Sequence, residues 1–463
     1  MRILGIESSC DETAAAILEG PEHFESQKPS DLKLLSNVVV SQIDIFKAYG
    51  GVIPEVAARS HLEAIMPVIH QAFQDAKLTD RDGQDDWSQI DAIAVTHTPG
   101  LLGSLLVGTL TARTLAILHD KPLYAVHHLK SHIYANWLGA GSLENVFSDS
   151  TEAGKPSSSA EKSVATDFSD TCRKNIFPGF PLLALVISGG HTQILYMREH
   201  NHFEIIGTTY DDAVGECLDK AAKILGLPYP GGPALARAAL GEITKADTGE
   251  VIKVSPGDRH KYQFPHPHLD NPLDFSFSGL KTAFLRTVQK IVNVPISHPS
   301  SDLKNLLSPQ QIADLSASFE QAVIDILLEN LQKARRVYPD VKNIVFAGGV
   351  SANALLRGKS NEISRDSTEA GKPSSNAITP VATVRRDEKA KMLAFSSSSE
   401  EQLSRETGVI DARRKNLRYF FPSVKYCGDN AAMVSAACYF EIQSGVQPTD
   451  PYSLNILPRS TIS

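Results

Sequence analysis

The chain has 463 residues, 42% of them hydrophobic and 21% charged, with a formal net charge of −8. That length exceeds one typical core, so two lobes are expected in an ordinary soluble protein. The acidic balance argues against a generally basic nucleic-acid coat but leaves room for a local basic patch.

The first residues, Met1 to Thr13, lack the basic head and long apolar run of a signal peptide and the arginines of a transit peptide, and no later run reaches the length of a membrane span. Arg2 to Ile6 reads as a buried strand, Glu7 to Thr13 as a polar turn and Ala14 to Leu18 as the returning strand of a hairpin. Ile43 to Phe73 has helical periodicity. Ile90 to Thr96 is a short apolar strand. Pro99-Gly100-Leu101-Leu102-Gly103-Ser104 then opens a helix of small residues to about Leu118. Leu123 to Val126 is a strand, and a helix carrying His128 and His132 follows. A second lobe begins near Pro181. Leu182 to Ile187 and Gln193 to Met197 are strands around the tight turn Ser188-Gly189-Gly190-His191-Thr192, repeating the N-terminal pattern of strand, polar turn, strand. Helices run from Asp212 to Leu225 and from about Pro309 to Tyr338, and Lys342 to Phe346 is a further buried strand. Strands alternating with helices indicate an α/β fold, and the similar halves suggest a duplicated architecture with a site in the cleft between them.

Two segments, Ser142–Pro178 and Ser360–Thr407, break the pattern. Both are rich in Ser, Thr, Lys, Glu and Asp, and read as disordered surface insertions. The decapeptide Asp-Ser-Thr-Glu-Ala-Gly-Lys-Pro-Ser-Ser stands at Asp149–Ser158 and again at Asp366–Ser375, the mark of a mobile coding repeat that landed where backbone disorder is tolerated; a partner-binding tag is the alternative. Cys10, Cys172, Cys217, Cys427 and Cys438 are odd in number and widely spaced with no Cys-x-x-Cys. That argues against a disulfide framework or a Cys-based zinc site and fits a reducing cytoplasm.

His128 and His132 stand one turn apart on one helix face, a spacing that lets both imidazoles reach a single metal ion. Two polar residues on a solvated face would look the same. His127 adjoins the pair but lies off its face. Ser188-Gly189-Gly190 at a strand end can bring bare backbone to a ligand or simply reverse the chain. On the helix after Asp211, Asp212, Glu216 and Asp219 share one side; Asp211 or Asp212 is expected to cap it and Gly226 to end it. A carboxylate there could bind ribose hydroxyls, or be balanced by Lys220 and Lys223. Tyr229-Pro230-Gly231-Gly232-Pro233 offers bare backbone. Phe275 to Thr282 is an aromatic and hydroxyl turn whose Lys281 could meet a phosphate or sit in solvent. Ala347 to Asn353 is another strand-to-helix glycine turn suited to nucleotide binding. Asp429 precedes a final helix, as its N-cap or as a third, oxygen ligand.

Gly5 to Thr13, His128-x3-His132, Ser188 to Thr192, Asp219-Lys220, Pro230-Gly231-Gly232, Phe275 to Thr282, Gly348 to Asn353 and Gly428-Asp429-Asn430 occur in the order found in one family. On them the chain resembles, over its whole length except the two insertions, the tRNA N6-adenosine threonylcarbamoyltransferases of bacterial type (the TsaD family, once called glycoproteases). The resemblance implies an actin/Hsp70/sugar-kinase (ASKHA) type of fold with two RNase H-like lobes and a central cleft. The first lobe would be 1–133 with the helix 429–446 packed back on it, the second 180–428, and 447–463 a tail. It implies transfer of a threonylcarbamoyl group from threonylcarbamoyl-AMP to N6 of adenosine 37 in tRNAs reading codons that begin with A. His128, His132 and Asp429 would bind one divalent metal, iron(II) with zinc as alternative. Val186, Ile187, Ser188, Gly189, Gly190, Asp219, Gly232 and Asn353 would bind the adenylate, and Glu12 lies where the family places an acidic residue implicated in activity. A catalytically silent paralogue (TsaB type) and a small ATPase (TsaE type) would be partners, in the cytoplasm and away from membranes. The family's Thr is Gly428 here, and its Arg-Gly-Pro-Gly is His97-Thr98-Pro99-Gly100.

Rival readings fit less well. A metalloprotease would need His-Glu-x-x-His for its general base, and position 129 is Leu. A sugar kinase would carry an Asp-x-Gly-Thr loop where this chain has Glu7-Ser8-Ser9-Cys10. Lys333, Arg335, Arg336 and the cluster Arg413, Arg414, Lys415, Arg418 could supply a basic surface for tRNA, or be solvated charges.

Overall fold

A computed structural model describes residues 1–23, 32–47, 49–138, 177–360 and 417–459. The two expected insertions lie outside the described residues except at positions 177, 178 and 360, as do Cys172, Arg413, Arg414 and Lys415. The strands are β1 (Arg2–Glu7), β2 (Glu12–Glu19), β3 (Lys33–Ser41), β4 (Ala92–Thr98), β5 (Leu123–His127), β6 (Leu182–Ile187), β7 (Thr192–Met197), β8 (Phe203–Thr208), β9 (Glu242–Thr244), β10 (Val251–Lys253), β11 (Asn343–Ala347) and β12 (Arg418–Phe420). The helices considered are α1 (Ile43–Lys47), α2 (Pro54–Ala76), α3 (Leu102–Leu118), α4 (His128–Tyr134), α5 (Val214–Ile224), α6 (Gly231–Ala239), α7 (Ser278–Ile291), α8 (Pro309–Val337) and α9 (Ala431–Gln443). They form two compact units: Met1–Val40 with His61–Pro178 and Phe420–Arg459, and Ser41–Ser60 with Gly179–Tyr419 and Ser460–Ser463.

The first unit holds a five-stranded sheet of order β3-β2-β1-β4-β5. β1 and β2 form the expected hairpin, in register from Arg2↔Glu19 to Glu7↔Ala14. β4 lies parallel to β1 and β5 parallel to β4. The central strands read Ile-Leu-Gly-Ile, Ala-Ala-Ala-Ile-Leu and Ala-Ile-Ala-Val without polar alternation because both faces are covered. On one face Leu4, Ile6, Ile17, Ile93 and Val95 pack with Ile69 and Phe73 of α2. The other is covered by α9, in which every residue from Ala431 to Glu441 is buried. Gly5 sets how close α9 comes: a Cβ there would lie 2.5 Å from the Ala431 carbonyl oxygen and 3.0 Å from the Ser435 amide. The tail after α9 is tied to the same unit, with Thr449 N–H donating to Leu123 O (2.7 Å) and Gly100 N–H to Pro458 O (3.2 Å).

The expected single helix from Ile43 to Phe73 is two. Gly50, at φ +67°, follows α1, and Pro54 supplies the first position of α2, where its missing N–H costs nothing. β3, an edge strand of mixed polarity, was not anticipated, nor was β8.

The second unit repeats the arrangement. Its sheet runs β12-β11-β6-β7-β8. Taken in chain order, each sheet places its strands 3-2-1-4-5, with a first antiparallel hairpin (β6/β7, Leu182↔Met197 to Ile187↔Thr192) and a fourth strand parallel to the first (β11/β6). α8 starts at a capping box in which Ser308 and Gln311 satisfy each other's backbone N–H groups. No helix among the described residues is long and apolar enough to cross a membrane.

Glu441 gives α9 a pH dependence. Burial pushes its carboxyl up to about 7 from the usual 4.5, with Lys130 pulling the other way. A raised folded-state value means the associated stability is fully present below 4.5 and declines as pH rises through 7. Glu441→Gln is expected to remove that decline. The variant should match the parent at pH 4.5 and exceed it at pH 8 by on the order of 3 kcal/mol. Urea midpoints at the two pH values decide it, and an equal offset at both would discard the assignment.

Candidate metal centre and nucleotide-binding turns

The parallel strands of the first unit deliver polar side chains to one place. Pairing of Ile6 with Val95 and of Thr96 with Val126 aligns the carboxyl ends of β1, β4 and β5. Glu7 at the end of β1, Thr96 two residues before the end of β4 and His128 just after β5 therefore meet, near the usual location of ligand sites in parallel sheets. α4 begins at His128, so His132 follows one turn on; the two rings stand 4.6 Å apart at 76°. His127 caps this helix, its Nδ1 accepting the Leu129 N–H at 3.2 Å. That gives the neighbouring imidazole a local role off the pair's face.

The third member arrives with α9. Asn430, not Asp429, is its N-cap: the Asn430 Oδ1 accepts the Met433 N–H at 3.1 Å and its Nδ2 donates to Gly428 O at 2.8 Å. Asp429 Oδ1 lies 3.1 Å from His132 Nε2 and 3.6 Å from His128 Nε2. One ligand atom from each of the three lies within 4.8 Å of the others, and among the described residues this is the group so placed. At Gly428, beside Asp429, an added Cβ would meet nothing within 4 Å.

The donor set fits a divalent ion. His132 is fully buried, and apart from the Asp429 carboxylate 3.1 Å from Nε2 its ring nitrogens have no partner. Buried polar atoms ordinarily find one. Burial pushes the His128 imidazole down, but Asp429 and Glu7 pull it up further, to about 9. Glu7, with no exposed surface, is held below its usual value by His128 against the opposing effect of burial. The pocket thus selects for positive charge, and two imidazoles with one carboxylate are the ligands of iron(II) and zinc sites with open positions.

Glu12 opens β2 and hydrogen-bonds Asp11, whose carboxyl is pushed up by burial and held back by that bond. The turn before it is fixed by fully buried His61 of α2. His61 Nε2 lies 3.0 Å from Cys10 O, a pure acceptor, so Nδ1 at 2.7 Å accepts from the Thr13 hydroxyl.

In the second unit three bare-backbone turns converge. A Cβ on Gly348, at φ +86°, would lie 2.5 Å from Ile187 O, and one on Gly215 would lie 2.7 Å from Ser188 O. Only glycine permits these approaches. Ser188 N–H donates to His191 O at 2.9 Å, while Gly189 and Gly190 have open space where a Cβ would stand. Asp219 Oδ1 accepts the Gly231 and Gly232 N–H groups at 2.7 and 3.2 Å, holding the start of α6 against α5. Asn353 accepts the Leu356 N–H at 2.9 Å and donates to Glu320, a buried carboxylate also paired with Arg259 at 2.9 Å.

Two expectations here change. Neither Asp211 nor Asp212 caps α5, whose N-cap is Ala213 without a side-chain bond. Asp211 instead caps α7, accepting the Phe277 and Ser278 N–H groups at 2.7 and 3.3 Å. Asp212 pairs with Lys220 at 2.8 Å and with Lys281 at 3.4 Å, so Lys281 faces a carboxylate. Gly226, at φ +74°, ends α5 as expected.

A family model described as TsaD, tRNA N6-adenosine threonylcarbamoyltransferase, matches residues 33–146 and 169–379. Relatives named tRNA N6-adenosine threonylcarbamoyltransferase align along the chain. That of Symbiobacterium thermophilum is 37% identical over 98% of this chain and 95% of its own length. That of Bacillus subtilis is 34% identical over 99% and 95%, and that of Magnetococcus marinus 41% over 78% and 82%. Of solved structures, full-length HypF in its phosphate- and nucleotide-bound form overlays 95% of this chain and 46% of that chain at 11% identity and a TM-score of 0.44, too distant to carry an argument. With a model matched over most of its length and relatives above the one-third level of identity end to end, the chain belongs to the tRNA N6-adenosine threonylcarbamoyltransferase family.

Proposed function

We propose that this chain is an acyltransferase moving the threonylcarbamoyl group from threonylcarbamoyl-AMP to N6 of adenosine 37 in tRNAs that read codons beginning with A, with release of AMP. The near-complete alignment to transferases of that name carries the reading. Its substrate already has a good leaving group, so what is required is orientation of donor and acceptor, polarisation of the carbamoyl carbon and exclusion of water. No nucleophilic side chain is needed.

His128, His132 and Asp429 would hold one divalent ion, iron(II) by the family resemblance and zinc as the alternative. Bound there, it supplies Lewis-acid polarisation of carbamoyl or phosphate oxygens. Val186, Ile187, Ser188, Gly189, Gly190, Asp219, Gly232 and Asn353 form the adenylate subsite in this reading. It is supported by the open backbone at Gly189 and Gly190 and by Asp219, which fixes the turn carrying Gly232. Glu12 is assigned the proton that N6 loses. The shared 3-2-1-4-5 strand order supports RNase H-like lobes of the ASKHA type, 1–133 with 429–446 and 180–428, with 142–178 and 360–407 as insertions. In this reading a TsaB-type paralogue and a TsaE-type ATPase would be its partners, in a cytoplasmic setting.

The test is direct. Purified protein reconstituted with metal, given threonylcarbamoyl-AMP and unmodified tRNA, should form the modified nucleoside and AMP in equal amounts, with or without the two partners. Absence of product with both partners and iron(II) or zinc present would overturn the reading.

A further inference from the structure

The His128 ring has a second nitrogen whose surroundings are as specific as those of the first. Its Nδ1 lies 3.2 Å from Glu7 Oε2 and 3.2 Å from Ser9 Oγ, while Nε2 faces Asp429. Glu7 has no exposed surface, and its oxygens take three donors: Ser9 N–H at 2.7 Å, the Thr96 hydroxyl at 2.6 Å and His128 Nδ1. A carboxylate so deep in a sheet costs stability unless it serves a partner. The strand register brings it there from β1, with Thr96 from β4 and His128 from the end of β5. The Nδ1 of His132, by contrast, has no hydrogen-bond partner, so of the two imidazoles only His128 is held from behind by a carboxylate.

We propose that Glu7 is the positioning residue of the metal centre: it accepts the Nδ1 proton of His128, fixing the tautomer that presents the Nε2 lone pair to the ion, with Thr96 holding the carboxylate in place. The proposal rests on the reading of His128, His132 and Asp429 as metal ligands. Outer carboxylates of this kind orient the ring and raise its donor strength, and their loss weakens metal binding by about 10–100-fold. The purely structural alternative is that Glu7 only closes the hairpin turn through Ser9.

Chelator-stripped full-length protein, titrated with cobalt(II) alone in competition with a chromophoric chelator, separates the two. Glu7→Gln should bind cobalt about 10–100-fold more weakly and shift its visible absorption, because ring orientation and ligand strength both change. Thr96→Val keeps the carboxylate but removes one of its donors, and should show a smaller loss in the same direction. Tryptophan fluorescence during urea unfolding monitors the apo forms. A folded Glu7→Gln with cobalt affinity within twofold of the parent and an unchanged spectrum overturns the proposal. Should Glu7→Gln fail to fold, unchanged affinity and spectrum in Thr96→Val overturn it equally. His128→Ala is the control for the underlying reading: retained affinity there would remove the metal centre itself, whereas loss there with retention in both other variants would remove only the role of Glu7.

Discussion

Alanine at position 128 is expected to abolish tRNA threonylcarbamoylation and strip the protein of its metal. The substitution deletes one of two nitrogen donors and leaves Glu7 and Asp429, two partly or wholly buried carboxylates, facing each other without the cation that balances them. The effect on metal affinity should exceed the roughly 100-fold upper value for outer-shell changes, since a direct ligand is gone. Asp429→Ala should act alike, because the Nε2 atoms of both histidines converge on its Oδ1. His127→Ala makes the control: its Nδ1 is engaged in capping α4 and it is not part of the trio, so the variant should keep its metal. Nucleoside analysis of tRNA from a depletion strain carrying each variant, with elemental analysis of the purified proteins, measures both outcomes. Full modification with His128→Ala would remove the metal assignment.

The second large effect concerns folding. Phe440 is fully buried, its ring stacked on Tyr134 at 5.0 Å and 16° and edge-on to Trp137 at 5.7 Å. It joins α9, which follows Asp429, to α4 and the turn after it. Phe440→Ala should cost about 3–5 kcal/mol from lost burial and cavity formation. Both tryptophans of the chain, Trp87 and Trp137, lie in the first unit, so tryptophan fluorescence in urea reads this unit alone. Metal affinity should fall with it, since the ring fixes the two ligand-bearing helices to each other. A shift below about 1 kcal/mol would mean the cavity collapses without penalty, contrary to a site lined by the Tyr134 and Trp137 rings.

The grouping of His128, His132 and Asp429 was legible because residue type and the helical spacing of the two histidines suggest it, and the aligned ends of β1, β4 and β5 give the pair a location. Strands with continuous apolar runs, such as Leu182–Ile187, were read to the residue. β3 escaped because as an edge strand it lacks clean alternation, burying Ser36 while exposing Val39 and Val40. Cap assignments failed where two candidates adjoin. Asp211 and Asp212 both suit an N-cap, but tertiary partners, the start of α7 and Lys220 with Lys281, claim them. Next to Asp429, Asn430 takes the cap and leaves the carboxylate to the histidines. Glu7 was seen in sequence only as part of a polar turn; its contact with His128 spans 121 residues and no local pattern encodes it.

The close approach of α9 to β1 at Gly5 has a consequence for synthesis. Ser435 Oγ donates to Ala16 O across 419 residues of chain. At about 5–20 residues per second, the first hairpin leaves the ribosome tens of seconds before the helix that covers it. Through that interval the nascent first unit has an uncovered apolar sheet and lacks Asp429. A chain interrupted before Asp429 would therefore be both sticky and unable to bring that carboxylate to His128 and His132.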